Sequence, residues 1–344
     1  MFREISFQDI DNNKIDGSYI IIDVRSPEEF KSETIPGATN IPLFSDEERE
    51  IIGTEYIQNS IDNAKKLGIE AASRKLPEIY EKVSELAKQY DNLVFFCARG
   101  GFRSTSLVCL FKSIGIDAIK LDGGYKGYRK YINENLPKIV EGINFVVLYG
   151  NTGTGKTDIL KSLEEKGKDI LDLEGCANHR GSLLGGVGLG SSHTQKMFEG
   201  LVYDALKNKK SNLVFTEGES KRIGRVVMPD FLFNAVKSGV NIKIEAEIDY
   251  RIENILRDYV DGTDEELIEA IDYLRNKLGD KNVERYNELI LAHDYEPVIE
   301  ELMVKYYDPL YEFKVKEYLT SFENYDSVKT AENIIEFFDS ENIN

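Results

Sequence analysis

Asn144-Phe145-Val146-Val147-Leu148-Tyr149-Gly150-Asn151-Thr152-Gly153-Thr154-Gly155-Lys156-Thr157 joins a continuous apolar run to a glycine-rich turn that ends in Lys-Thr. The apolar run predicts a strand covered on both faces, and Ile159, Leu160 and Leu163 beyond the turn predict a helix. Strand, Gly-x4-Gly-Lys-Thr and helix in that order is the setting a phosphate loop requires. Its glycines let main-chain N–H groups wrap a polyphosphate, Lys156 balances the charge, and Thr157 can reach a Mg²⁺ ion. Gly150, Thr152, Gly153, Gly155, Lys156 and Thr157 are therefore the candidate phosphate-binding residues. Such a loop implies bound polyphosphate without implying nucleotide hydrolysis.

Downstream, further strands are expected over 169–173, over 212–216 and in the alternating Ile242/Ile244/Ala246/Ile248, with a helical pattern beyond residue 250. Two polar strings follow the first two of these strands. They are Asp172-Leu173-Glu174-Gly175-Cys176-Ala177-Asn178-His179-Arg180-Gly181-Ser182 and Glu217-Gly218-Glu219-Ser220-Lys221-Arg222-Ile223-Gly224. Both fall at carboxyl ends of strands, where α/β sheets bind ligands. Asp172, Glu174, Glu217 and Glu219 are candidates for the acid on the metal side of the phosphates, and the sequence does not rank them. Asn178, His179, Arg180, Ser220, Lys221, Arg222 and Arg225 are further substrate-binding candidates; for the basic ones, ion pairing with the abundant acids is the alternative. The run Gly185-Gly186-Val187-Gly188-Leu189-Gly190 reads as a mobile loop, and Cys176 as a small hydrophobe. His193 and His293 have no partners at metal-ligand spacing, so no protein metal site is expected.

Upstream, Leu136-Pro137 and Glu141-Gly142 read as a junction between a unit over 1–137 and the phosphate-loop unit over 138–344. In the first unit, Tyr19 to Val24 and Asn92 to Phe96 predict buried strands, and Ala118 to Leu121 a third. A charged, mainly helical insertion lies between Phe44 and Tyr90. The helix expected over Ser104 to Ile114 carries an apolar stripe of Leu107, Val108, Leu110, Phe111 and Ile114. Ahead of it, Cys97-Ala98-Arg99-Gly100-Gly101-Phe102-Arg103 leaves a buried strand through a glycine turn. Such a turn can aim N–H groups and the positive helix end at the sulfur, and Arg99 and Arg103 would acidify the thiol further. Cys97, Arg99 and Arg103 are the catalytic candidates, though Cys-x5-Arg is also the spacing of cysteine phosphatases. Cys109 is expected in the helix core rather than as a resolving thiol.

The 344 residues allow two α/β domains, each with its own core, and 41% hydrophobic with 30% charged residues fits a globular protein. Neither a signal peptide nor a membrane span is evident, and three cysteines without regular spacing argue against a disulfide framework, so a cytoplasmic location is expected. A formal charge of −18 disfavours nucleic-acid binding in bulk while leaving room for local basic patches.

Asp23-Val24-Arg25-Ser26-Pro27-Glu28-Glu29-Phe30, Ile35-Pro36-Gly37-Ala38-Thr39-Asn40-Ile41-Pro42, the cysteine loop and Leu121-Asp122-Gly123-Gly124-Tyr125 together resemble a rhodanese domain. With the two strings after the phosphate loop, and with Leu43 to Arg49 and Tyr306 to Tyr311, the chain resembles the tRNA 2-selenouridine synthases, a bacterial family, from end to end. The resemblance implies an N-terminal rhodanese-like domain and a P-loop NTPase-like domain with a helical C-terminal region. It implies a tRNA carrying 2-thiouridine at the wobble position as substrate, with geranyl diphosphate and selenophosphate as co-substrates and Mg²⁺ possible at Thr157. Sulfur would first be geranylated, then replaced by selenium, with Cys97 needed in the second step. Two departures stand out: Ala98 occupies a position where the family usually has Trp, and the loop has one residue more than the usual rhodanese Cys-x4-Arg. The competing readings are a rhodanese-type sulfurtransferase or cysteine phosphatase fused to an unrelated NTPase, and a non-catalytic tRNA-binding scaffold. The tyrosines of 306–311 could stack on bases or pack in a core.

Overall fold

The computed structural model describes residues 3–182, 184–260, 262–311 and 317–341, with only the backbone of Leu310 and Tyr311. The chain divides into two compact units, Met1–Asn135 and Leu136–Asn344. The first contains β1 (Arg3–Ile5), α1 (Phe7–Asp11), β2 (Tyr19–Asp23), α2 (Pro27–Ser32), β3 (Thr39–Asn40), α3 (Asp46–Gln58), α4 (Ile61–Ala87), β4 (Asn92–Phe96), α5 (Phe102–Ser113) and β5 (Ala118–Leu121). Its sheet is wholly parallel in the order β1-β5-β4-β2-β3. β4 is the middle strand and is buried at every residue, which is why it reads as an unbroken apolar run. The insertion consists of α3 and α4, the first begun by a capping box in which Ser45 and Glu48 satisfy each other's backbone N–H.

Some expectations are corrected here. α5 buries Leu107, Val108 and Phe111 together with Ser104, while Leu110 and Ile114 are 37% and 51% exposed and lie off that stripe. Cys109 is exposed rather than in the core. Each residue advances a helix by about 100°, so the position after Val108 already turns towards solvent. Helix α6 (Gly124–Glu141) runs unbroken through Leu136-Pro137, with Pro137 inside it.

The second unit contains β6 (Asn144–Tyr149), α7 (Lys156–Glu165), β7 (Asp169–Leu171), α8 (Leu173–Ala177), α9 (Gln195–Lys207) and β8 (Leu213–Glu217). It continues with the short antiparallel pair β9 (Arg222–Ile223) and β10 (Val226–Val227), then α10 (Asp230–Lys237), β11 (Val240–Glu245) and α11 (Ile248–Tyr259). The helical region adds α12 (Asp264–Tyr273), α13 (Arg275–Leu278), α14 (Asp280–Leu291), α15 (Glu296–Leu302), a π-helical turn at Met303–Tyr307 and α16 (Asp308–Tyr311). β12 (Thr320–Glu323) and α17 (Ser327–Ser340) follow. The sheet order is β12-β11-β6-β8-β7, all parallel, with β6 in the middle and the phosphate loop at its carboxyl end. The expected strand over 169–173 stops at Leu171, because the Asp172 carboxylate caps α8 by accepting the Gly175 N–H at 2.6 Å. Ile248 does not extend the alternating strand either; it begins α11. Tyr307 is buried in the helical core with Tyr259, Ile271 and Ile290, so core packing accounts for this tyrosine of the 306–311 segment.

The first unit is pinned by a buried ion pair. Asp23 and Arg25 are 0% and 3% exposed. The Asp23 carboxylate accepts Arg25 Nη2 at 2.7 Å and the Thr34 hydroxyl at 3.0 Å, and the guanidinium lies 4.3 Å from the Tyr125 ring centroid. The pair thereby ties the end of β2 to the residue after the Gly123-Gly124 turn. Arg25→Met would leave Asp23 buried without its cation and should destabilise the protein by about 3–5 kcal/mol. Urea denaturation checks this, and an unchanged midpoint would refute it.

Candidate anion-binding sites

Cys97 stands just beyond β4 and is buried. The floor of its loop is closed by the turn that opens α6: Tyr125 N–H donates to Cys97 O at 2.9 Å and Lys126 N–H to Ala98 O at 3.0 Å. This approach requires glycine, since a Cβ on Gly124 would fall 2.2 Å from Cys97 O. Gly101 then caps α5, and Ser104 in its first turn directs its hydroxyl to Cys97 Sγ at 3.3 Å. Burial opposes ionisation of the thiol. The Ser104 hydroxyl and amide, the Arg103 guanidinium and the Arg99 amide outweigh it and hold the pKa below the ordinary 9.0.

The two arginines have different settings. Arg103 forms a forked pair with Glu29 of α2, at 2.6 and 3.3 Å, so much of its charge is already met. The Arg99 side chain is exposed, and so is Phe102 at 67%. Ser104 is the contributor that sequence reasoning missed; a serine seven places after the cysteine carries no recognisable spacing signal.

In the second unit, donors from distant elements hold the carbonyls of the phosphate loop. Arg251 Nε reaches Thr152 O at 2.9 Å, Asn254 Nδ2 reaches Gly153 O at 2.9 Å, and Asn324 Nδ2 reaches Thr154 O at 2.8 Å. Asp308 fixes Arg251 from behind through a bidentate pair at 2.6 and 3.0 Å. A loop with its carbonyls so engaged presents its N–H groups to an anion. Gly150 is required here because a Cβ would meet Ile244 O at 2.4 Å. Lys156 folds back, donating to Gly150 O at 2.9 Å and Asn151 O at 3.2 Å.

Acids crowd the other side. Glu217 is buried, and one carboxylate oxygen accepts the Glu174 N–H at 2.7 Å. Its second oxygen has no hydrogen-bond partner among the described residues. Burial and the nearby Asp172 and Glu174 push its pKa well up. Burial and Glu219 raise Glu174 to about 8 against the pull of Lys156. Burial depresses Lys156, while Glu174, Glu219 and Glu217 oppose that shift. The Thr157 hydroxyl donates to Glu174 at 3.4 Å. No three His, Cys, Asp or Glu among the described residues form a metal-holding group.

Most of these groups line a cavity of about 280 Å³. Of the sequence candidates, Thr152, Gly153, Gly155, Lys156, Thr157, Asp172, Glu174, Asn178, His179, Arg180 and Glu219 line it. Gly150, Glu217, Ser220, Arg222 and Arg225 are not among its lining residues. Asn178 donates to Leu189 O and Ser191 O, and Arg180 to Val187 O, so both tether the glycine-rich stretch by hydrogen bonds. Lys221 pairs with Asp230, Arg225 donates to Ser192 O and His193 O, and Arg222 is exposed on the β9–β10 pair. Arg251, Asn254, Asn324 and Asp308 were not legible as site residues. Cys176 is buried, as a small hydrophobe would be.

A family model described as the tRNA 2-selenouridine synthase AAA domain matches residues 143–342, and one described as the rhodanese-like domain matches residues 6–131. A tRNA 2-selenouridine synthase of Nitrosomonas europaea is 32% identical over 70% of this chain and 63% of its own length. One from Pseudomonas syringae pv. syringae is 31% identical over 86% of this chain and 88% of its own. A third, from Hydrogenovibrio crunogenus, is 32% identical over 90% and 93%.

Removing the hydroxyl in Ser104→Ala should raise the Cys97 pKa, because the hydrogen bond that favours the thiolate is lost. Iodoacetamide labelling against pH, resolved by peptide mass spectrometry with exposed Cys109 as reference, checks this; a superimposable Cys97 profile would refute it. The raised Glu174 pKa makes a second prediction. The unfolded carboxyl ionises from its ordinary value of 4.5 and the folded one only near about 8, so this group's stabilising contribution is lost as pH rises through that window. Glu174→Gln should therefore melt with the wild type at pH 4 and above it at pH 9, by on the order of 2–4 °C. A gap that does not grow with pH would contradict the assignment.

Proposed function

The chain belongs to the tRNA 2-selenouridine synthase family, and on that footing we propose that it is a tRNA-modifying transferase acting in two stages. In the first, geranyl diphosphate is held by the phosphate loop and the sulfur of wobble-position 2-thiouridine attacks its first carbon. The carbon–oxygen bond breaks and diphosphate leaves. In the second, the selenium of selenophosphate attacks the base carbon, the carbon–sulfur bond breaks and geranylthiolate departs, and water then cleaves the phosphorus–selenium bond, releasing phosphate and leaving the 2-selenouridine. Alkylation serves the second stage by turning sulfur into a leaving group.

The observation that carries this reading is one chain holding both a lysine-bearing phosphate loop and a thiol poised below its usual pKa. Lys156 would exchange the carbonyls of Gly150 and Asn151 for diphosphate oxygens, adding charge where the leaving group develops it. Cys97, Arg99 and Arg103 would serve the selenium stage, with the cysteine carrying or positioning selenium in its N–H-lined turn. Mg²⁺ fits only in part. The Thr157 hydroxyl beside Glu174 offers one corner of a site, and diphosphate oxygens would supply the rest. The bound ion would neutralise phosphate charge.

The exposed Arg222, with Lys221 and Arg225 nearby, offers a small basic surface for tRNA phosphates despite the net charge of −18. No helix among the described residues is long and apolar enough to cross a membrane.

Nucleoside mass spectrometry tests the division of labour. Cys97→Ser should still give the S-geranyl nucleoside and lose selenium incorporation, while Lys156→Ala should lose geranylation by on the order of 100-fold or more. Loss of both steps in Cys97→Ser would sink the two-stage reading. Thiosulfate–cyanide or aryl-phosphate turnover independent of tRNA would favour the fused sulfurtransferase or phosphatase instead.

A further inference from the structure

The polar string after β7 brings one side chain to the phosphate-loop cavity that the two-stage reading leaves without a role. Helix α8 ends at Asn178, whose left-handed backbone (φ 49°) turns the chain, and the His179 N–H closes back onto Glu174 O at 3.0 Å. His179 thereby lines the same cavity as Lys156 and Thr157. Two glycine turns enclose its ring. A Cβ on Gly224, between β9 and β10, would fall 2.5 Å from Cδ2, and one on Gly185 would fall 2.9 Å from Cε1. A side chain at either position would displace the imidazole.

The ring is also kept neutral and unpaired. Nδ1 is buried without a hydrogen-bond partner among the described residues, which leaves Nε2 as the accessible nitrogen. Burial, and then the Arg180 guanidinium, hold the imidazole below its ordinary 6.5, so at neutral pH it can accept a proton.

Alkylating 2-thiouridine creates a need for such a group. A sulfur lone pair forms the bond to the first geranyl carbon, and the pair of the broken carbon–oxygen bond leaves with diphosphate. In the neutral S-geranyl base, C2 and N3 share a double bond, so the N3–H bond must open and its proton must go elsewhere. Several acids of the cavity are already committed. Glu174, raised to about 8, keeps its own proton at neutral pH, Asp172 caps α8, and Asp158 and Asp258 both pair with Arg257.

We propose that His179 is the general base of the geranylation stage, its Nε2 taking the N3 proton of the thiouridine as sulfur attacks and passing it to solvent. The proposal rests on the reading of the loop as a diphosphate site. Removing that proton gives sulfur the electron density of a thiolate while the carbon–oxygen bond opens beside Lys156.

Single-turnover geranylation of 2-thiouridine tRNA by the full-length protein, followed across pH by nucleoside mass spectrometry, tests this. Arg180 acts on the imidazole, and Glu266 and Glu269 share a recess with it. The wild-type rate should fall as pH drops through the range in which that imidazole takes up a proton. His179→Gln and His179→Ala should each lose on the order of 100-fold at pH 7. The deficit should shrink towards pH 9, where solvent hydroxide removes the N3 proton unaided. Affinity of both variants for inorganic pyrophosphate, read by isothermal titration, should be unchanged, which a merely structural role would not allow. A wild-type rate that stays level at acid pH, or a variant deficit that is absent or does not shrink with pH, would overturn the proposal. So would a pH-dependent deficit of this kind in Glu219→Gln with the His179 variants unimpaired. Each of these outcomes leaves the diphosphate reading of the loop standing. Absence of the S-geranyl nucleoside from the wild-type reaction would remove that reading and the proposal with it.

Discussion

Tyr125 and Lys126 take the carbonyls of Cys97 and Ala98, and Arg251, Asn254 and Asn324 take those of Thr152, Gly153 and Thr154. The same constraint governs both sites. A turn leaving a strand can hold an anion only if its carbonyls are directed elsewhere, because peptide oxygens at that position would repel the ligand. In the first unit, main-chain donors at the start of α6 meet the requirement, and Gly124 is the concession that allows the approach. In the second it falls to side chains, one of them charged and itself anchored by Asp308. A sulfur or a phosphate can be held at these turns because the rest of each unit holds the turn's back.

Electrostatics then separates the two sites. At Cys97 the groups around the sulfur favour the anion, and Arg103 is moderated by Glu29. At Lys156 the surroundings pull against one another: a half-buried lysine depressed by desolvation, a buried Glu217 whose second oxygen has no hydrogen-bond partner among the described residues, and a Glu174 raised to about 8. A protonated Glu174 lowers the repulsion an incoming diphosphate would meet, and its raised pKa keeps that form populated at neutral pH. Like-charge crowding of this kind is costly to stability and is a mark of functional sites.

The sequence made the α/β class and both loops legible, because each is local: strand, glycine turn and helix succeed one another within a few residues. It could not show what holds the loops. Arg251, Asn254 and Asn324 lie 99, 101 and 170 positions from the carbonyls they bind, and hydrogen bonds to a backbone oxygen leave no spacing pattern. Asp172 shows a different limit: its carboxylate caps α8 by accepting the Gly175 N–H, which ends the strand two residues earlier than the apolar pattern does. The misplacement of Cys109, Leu110 and Ile114 came from taking every apolar residue of α5 as core, when the buried face is only as wide as Ser104, Leu107, Val108 and Phe111.

The central claim is that the two turns serve successive stages of one base alteration and can be uncoupled. The most direct measurement supplies tRNA already carrying the S-geranyl group, together with selenophosphate, to Lys156→Ala protein. If the phosphate loop is needed only for geranylation, the selenonucleoside should form at the wild-type rate, because the damaged stage has been bypassed. Absence of selenonucleoside, with the wild type active on the same tRNA, would show that both stages depend on the phosphate loop and would contradict the account.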